Sequence, residues 1–380
     1  MLRAMRRMLA ASAAAVAVIL AGMPAAARAQ PTPGVPAALA ALVATPGGPP
    51  GAAAIVHRGD QVVFHTAGVA DVATGAPFRR TDYMRLASTS KAFNGAVALS
   101  LVRRHRLSLS DTIGHLLPYL PRAWRKVTLA EALNHTSGLP SYTKDESFQK
   151  FVVHHPHARV RPRRLLTFVA NKPLEFKPGS SYEYSNSDNV VVGLMVAKAT
   201  GHSYLYELRR RVLRPLGLRH TSLPAGAKLP SPYIHGYDVS EPRPEDVTHA
   251  LAMSTAWAAG GMVSSPGDLD RFIRADVGGA FAGQRLSRRQ LRVVKGASEP
   301  PGPGRNAAGL AIFRYRTPCG TVYGHTGNTL GYTQFAAATR DGRRSVTVSV
   351  NTQLAPGAGS QRAFRALRHA ELVAVCAALR

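Results

Sequence analysis

Apolar positions fall into three regimes along the chain. Residues 52–57 and 61–67 are apolar runs on either side of Arg58-Gly59-Asp60, a β-hairpin pattern. Ahead of them, residues 37–45 read as a short helix after a Pro-rich stretch at 30–36. Over residues 88–104, Phe93, Val97 and Leu101 recur at helical spacing. Apolar residues also fill much of the rest, which predicts a helix buried on most sides. From Leu107 to about Val247, candidate helices at Leu129–Leu133, 164–169, 189–200 and 204–212 are separated by loops rich in Pro, Gly and His. One more helix follows at 266–275. Strand patterns return at 310–315, 320–325, Tyr332–Ala338 and 345–351. Asp341-Gly342 between the last two is a strong hairpin signal. An amphipathic helix at 362–378 closes the chain.

Strands at both ends around a helical middle predict an α/β fold of the α+β type: one antiparallel sheet flanked by helices, plus an all-helical subdomain. The expected boundaries are 30–106 with 255–380 for the sheet-and-helix part, and 107–254 for the mainly helical part. The site is then expected in the cleft between them. A length of 380 residues suits one large domain or two intimately joined ones.

Composition changes this picture at the N-terminus. Arg3, Arg6 and Arg7 precede an apolar run from Met8 to about Gly22, and Ala27-Arg28-Ala29 is an A-x-A cleavage pattern. Residues 1–29 therefore read as a signal peptide, and the mature protein as secreted or cell-wall associated. The apolar run is short for a membrane anchor, which needs ~20 residues. No stable membrane span is expected after cleavage. Arg6-Arg7 leaves the export route open between the general and twin-arginine systems. The two cysteines, Cys319 and Cys376, are an even count that in an exported chain points to one disulfide. Two buried thiols are the alternative. The formal charge of +27 invites a nucleic-acid reading, but no nucleic-acid motif accompanies it and the arginines are scattered. A GC-rich coding bias and attraction to an anionic cell-wall surface explain the charge equally well. His154-His155-Pro156-His157 lacks acid or Cys partners at ligand spacing, so no metal and no cofactor are expected.

Three short elements carry chemistry. Ser88-Thr89-Ser90-Lys91 is an S-x-x-K pattern at a helix start, which sets the Lys amine one turn from the Ser hydroxyl. A partly buried Lys with a lowered pKa can serve as the base that makes a serine nucleophilic. Tyr184-Ser185-Asn186 offers a hydroxyl for proton transfer and an amide that can both donate to and accept from a substrate amide. His325-Thr326-Gly327, at a strand end, offers backbone that a ligand can approach closely. The backbone N–H groups of Ser88 and Asn328 are the candidate oxyanion hole. Each element alone has a structural explanation. Their order and their positions on helix, loop and strand fit the S-x-x-K hydrolases. No G-x-S-x-G elbow occurs, which argues against a classical α/β-hydrolase.

With these motifs the chain resembles the serine β-lactamase and penicillin-binding protein superfamily, in the class C and peptidase S12 branch. Its likeness there is to the secreted actinomycete D-alanyl-D-alanine carboxypeptidases. The resemblance runs from about Ala38 to Cys376 and includes Asn134-His135-Thr136-Ser137-Gly138-Leu139 and Gly260-Gly261-Met262-Val263. It implies that Ser88 is acylated, Lys91 takes its proton and Tyr184 serves the leaving amine and then the hydrolytic water. It further implies that Asn186, His325, Thr326, Gly327 and Asn328 bind substrate, that Phe148 and Trp257 line the cleft, and that Cys319 pairs with Cys376. The implied partners are cell-wall peptides or other small acyl substrates, with β-lactams as covalent ligands. Two positions depart from the pattern. Phe313 stands where a carboxylate-binding Arg is expected, with Arg314 and Arg316 facing away by strand alternation. Asn328 stands where a hydroxyl residue is expected. An esterase or β-lactamase on the same fold, and a non-catalytic cell-wall binder, are the alternatives.

Overall fold

The computed structural model describes residues 34–357 and 360–380; the leader expected at 1–29 lies outside the described residues. Helix α1 (Val35–Ala44) leads into the hairpin of β1 (Gly51–Arg58) and β2 (Gln61–Gly68). Pro36 sits in the first turn of α1, where its missing N–H costs no helical bond. Helices α2 (Ser90–Arg103), α3 (Glu146–His154), α4 (Asn186–Thr200) and α5 (Pro266–Val277) occupy the middle of the chain. Strands β3 (Val294–Lys295), β4 (Arg305–Ala308), β5 (Phe313–Thr317), β6 (Gly320–Thr329), β7 (Tyr332–Ala338) and β8 (Arg344–Val350) follow, and α6 (Gln361–Leu379) ends it.

The eight strands form one sheet in the order β2-β1-β8-β7-β6-β5-β4-β3, antiparallel throughout. Alternation assigns its two faces. Ala52, Ala54, Val56, Phe335, Ala337, Val346 and Val348 pack with Leu39 of α1 and Leu367 of α6. Ala53, Ala336 and Ala338 pack on the opposite side with Phe93 of α2 and Phe272 of α5. This is the expected antiparallel sheet flanked by helices.

Several elements differ from their sequence patterns at the edges. The strand expected from 310 starts at Phe313, because the chain turns at Ala311 (φ +58°) and Gly309 N–H bonds the Ile312 carbonyl at 2.8 Å. Strand β6 runs on to Thr329, so His325-Thr326-Gly327 lies within a strand instead of at its end. Helix α4 begins at Asn186, three residues early, so Asn186 is its first residue and not part of a loop. Helix α3 carries no sequence expectation; the Asp145 carboxylate caps it, accepting from the N–H groups of Ser147 and Phe148.

Candidate active site

Ser88 occupies a 3-10 turn, Ala87–Thr89, just ahead of α2. Ala87 adopts φ +48°, a left-handed conformation that a residue with a Cβ rarely takes and that surrounding bonds must hold. Those bonds are present. Thr89 Oγ1 donates to the Leu86 carbonyl and Ser90 Oγ to the Ala87 carbonyl, each at 2.6 Å. Gln334 of β7 reaches the Arg85 carbonyl at 3.2 Å, and Leu86 N–H the Met262 carbonyl at 3.0 Å. Strand β6 also presses against this turn. A Cβ on Gly327 would lie 2.2 Å from the Leu86 carbonyl oxygen. The glycine thus serves close packing of strand on nucleophile turn.

Lys91, one turn on, is fully buried. Its Nζ donates to Ser88 Oγ (2.9 Å), Asn186 Oδ1 (2.7 Å) and the Ala259 carbonyl (2.7 Å). Burial lowers its pKa to about 7, against the upward pull of Glu299 and Asp188. Near neutrality this amine exchanges its proton readily while touching the serine. Asn186 is fixed in turn: its Nδ2 donates to Thr143 Oγ1 at 2.8 Å and its N–H to Ser141 Oγ at 3.1 Å.

The Tyr184 ring lies beside the pair, with Lys91 Nζ 4.9 Å from its centroid. Burial pushes the phenol far above its ordinary pKa; the facing Ser88 hydroxyl opposes that shift. Apart from the facing Ser88 hydroxyl, the buried Tyr184 hydroxyl has no partner among the described residues, which leaves it able to serve a reacting group. Behind it, the His135 ring sits 4.5 Å away, and His135 Nδ1 meets Asp188 Oδ2 at 2.8 Å. Burial favours the uncharged form of both, lowering His135 to about 3 and raising Asp188.

His325 lies on the same wall, its Nδ1 held by the Thr326 carbonyl at 2.5 Å and its buried Nε2 without a partner among the described residues. Burial holds it well below its ordinary pKa, so it is a neutral ring. Thr326 turns away from Ser88 and donates to the Pro300 carbonyl at 2.7 Å. Asn328 Nδ2 donates to the Leu354 carbonyl at 2.7 Å. Phe313 is buried beneath the site, its ring 5.0 Å from His325 and 6.4 Å from Tyr184. The alternation of β5 leaves Arg314 half-buried and Arg316 exposed on its other side.

The structure therefore brings Ser88, Lys91, Tyr184, Asn186 and His325 together, with Gly327 against the nucleophile turn. It does not bring Phe148 to that cluster: the ring is buried between Tyr142 and Phe168, at 4.8 and 5.3 Å. Trp257 packs on Tyr204 at 5.1 Å and against Gly193, and its short helix Trp257–Gly260 supplies the carbonyl that holds Lys91. Sequence reasoning missed that carbonyl, Thr143 and the His135–Asp188 pair. Only the N-H-T-S-G run pointed toward the last. Cys319, in the β5–β6 turn, and Cys376 of α6 form a disulfide with Cα atoms 5.2 Å apart.

A serine held by a buried lysine at a helix start, faced by a buried tyrosine and packed against a large antiparallel sheet, defines the class of active-site serine hydrolases that use S-x-x-K. Residues 36–371 match the family model described as Beta-lactamase, and the chain belongs to that family. Among solved structures it is similar to a D-stereospecific amidohydrolase from Streptomyces sp., at 32% identity and TM-score 0.76, covering 87% of this chain and 97% of that one. It shares its fold with a D-amino acid amidase from Ochrobactrum anthropi SV3, at 24% identity and TM-score 0.78, over 90% and 97% of the two chains. Penicillin-binding protein 4* of Bacillus subtilis (strain 168) is 28% identical over 165 residues, 43% of this chain and 35% of that protein. Protein flp of Staphylococcus aureus (strain COL) is 28% identical over 179 residues, 46% and 34% respectively. The chain thus spans about a third of the length of the curated relatives it matches.

Proposed function

We propose that this protein hydrolyses amide bonds of D-configured substrates through an acyl-enzyme on Ser88, and that it acts outside the cytoplasm. The observation that carries the reading is the Lys91–Ser88 hydrogen bond made by an amine with a pKa of about 7. Neutral Lys91 takes the Ser88 proton as Oγ adds to the substrate carbonyl. The N–H groups of Ser88 and Asn328 receive the oxyanion. Tyr184, protonated at rest, passes a proton to the departing amine and is reprotonated from Lys91. In the second half, water loses a proton to the same network as it attacks the ester, and that proton returns to Ser88 Oγ as its bond to the acyl carbon breaks and the acid leaves. Asn186 and His325 hold the substrate amide.

The D-configuration rests on the 32% identity to a D-stereospecific amidohydrolase, of which the chain covers 97%. A D-alanyl-D-alanine carboxypeptidase is the narrower form of this reading. It requires a cation for the terminal carboxylate, and Phe313 places hydrocarbon where the family pattern expects one. An extracellular location is supported by the leader pattern at 1–29 and by the disulfide. A fluorescent penicillin is expected to label the protein covalently at Ser88, with none on Ser88→Ala. Turnover of D- over L-amino acid amides, set beside a p-nitrophenyl ester and nitrocefin, then separates amidase from esterase and β-lactamase. Equal labelling of Ser88→Ala would sink the reading, and a preference for L-amides would remove its stereochemical part.

A further inference from the structure

Three charged residues lie beside residues of the site. Lys144 follows Thr143, which holds Asn186; Glu183 precedes Tyr184; Glu299 precedes Pro300, whose carbonyl holds Thr326. They approach one another in space. Lys144 Nζ is 2.5 Å from Glu183 on its own side and 3.9 Å from Glu299, which belongs to the loop between β3 and β4 on the sheet side. All three side chains are exposed, at 39%, 49% and 54%. Two carboxylates against one ammonium leave the rim net negative on a chain whose formal charge is +27. That local sign runs against the whole molecule, and charge at a rim selects what enters.

The sign excludes one kind of substrate end and favours another. A terminal carboxylate would meet Glu183 and Glu299. Lys144 is engaged by both, Lys91 is buried with all three of its hydrogen-bond directions taken, and Phe313 offers only hydrocarbon. An ammonium finds its complement. In an aminoacyl substrate the α-nitrogen is one carbon from the carbonyl that Ser88 attacks, so its charge necessarily lies close to the site. The site also holds two buried polar atoms, His325 Nε2, which has no partner among the described residues, and the Tyr184 hydroxyl, which faces only the Ser88 hydroxyl, at residues 1% and 3% exposed. These point to a ligand that supplies polar atoms there.

We propose that Glu299 is the specificity residue for a substrate ammonium. On this assignment, which rests on the amide-hydrolase reading above, the enzyme takes D-aminoacyl amides or peptides with a free α-amino group, in preference to N-acylated ones. Glu183 keeps Lys144 turned aside, and Glu299 accepts the incoming ammonium.

The test compares kcat/KM for D-phenylalanine amide and N-acetyl-D-phenylalanine amide in wild type, Glu299→Gln and Glu299→Lys. Wild type is expected to favour the free amine. Glu299→Gln should lower that ratio roughly tenfold, mainly through KM, as loss of an exposed charge partner does. Glu299→Lys should invert it toward an N-succinyl substrate. Binding is read separately, by calorimetry of D-phenylalanine amide on Ser88→Ala with and without Glu299→Gln. If turnover fails but Glu299→Gln still weakens binding, the hydrolase reading falls and the ammonium site stands. A ratio unmoved by Glu299→Gln, a wild-type preference for the N-acetyl amide, or equal binding with and without the Glu299 charge overturns the assignment.

Discussion

Lys91 has three hydrogen-bond acceptors around it, and they are not equivalent. Asn186 Oδ1 and the Ala259 carbonyl can only accept, whereas Ser88 Oγ can also donate. A neutral amine has two N–H groups and one lone pair. The two pure acceptors take the N–H groups, so the lone pair is left facing the serine. Deprotonation therefore both creates the base and aims it. With the pKa lowered to about 7, the neutral fraction falls tenfold per pH unit below that point, so acylation should rise from pH 5 and level off above about 7.5. Asn186→Asp sets a carboxylate where an amide oxygen now lies 2.7 Å from Nζ, favours the ammonium, and should move the rise in the pH profile upward. A profile unchanged in that variant would remove Lys91 as the titrating base. At this scale, residues with short linear motifs were legible: Ser88 and Lys91 by spacing, Tyr184, Asn186 and His325 by company. Glu299, Lys144 and the Ala259 carbonyl were not, because their roles come from meeting across the fold. Phe148 has a cleft-lining aromatic's chemistry, but Tyr142 and Phe168 enclose it.

Elements hold the site through close contacts that sequence patterns do not record. Strand β6 can carry only glycine at 327 without displacing the Leu86 carbonyl, which is backbone and cannot swing aside. Gly327→Ala is expected to lower kcat by roughly a hundredfold, what a shift of about 1 Å in a reacting group costs. Activity within threefold of wild type would show that the nucleophile turn moves without penalty. Away from the site, Thr128 and Glu131 form a reciprocal capping box at Leu129–Leu133. Thr128→Ala should cost about 1 kcal/mol in denaturant unfolding with kinetics intact. The period of the pattern gave Leu129–Leu133 and Tyr332–Ala338 their full extents. Helix α3 escaped because its start is set by the Asp145 carboxylate, a signal of one residue. The early start of α4 escaped because Asn186 and Ser187 are bound by Ser141 and the Pro140 carbonyl, contacts distant in sequence.

Across the whole molecule, the disulfide closes a span of 57 residues and ties the β5–β6 turn to α6. Its loss should cost about 4 kcal/mol on the chain-entropy account. Cys376→Ala should therefore melt several degrees lower while KM changes little, since Cys319 sits at the opposite end of β6 from Gly327; an unaltered melting point would show that helix packing alone secures the edge. The formal charge of +27 should make the protein adhere to anionic polymers at low ionic strength and leave them near 1 M salt, where the screening length is about 3 Å. The sheet itself was legible because strand patterns cluster at both ends of the chain. That arrangement also sets a schedule for biosynthesis. Strand β1 is made well before β8, the strand it pairs with along its length. Ser88 through Asn328 can all have left the ribosome while the sheet still lacks its central strand. A nascent chain truncated just past residue 330 would hold every catalytic candidate and still lack β7 and β8, the strands that join β6 to β1. The site is thus assembled by strands that are made after the last of its own residues.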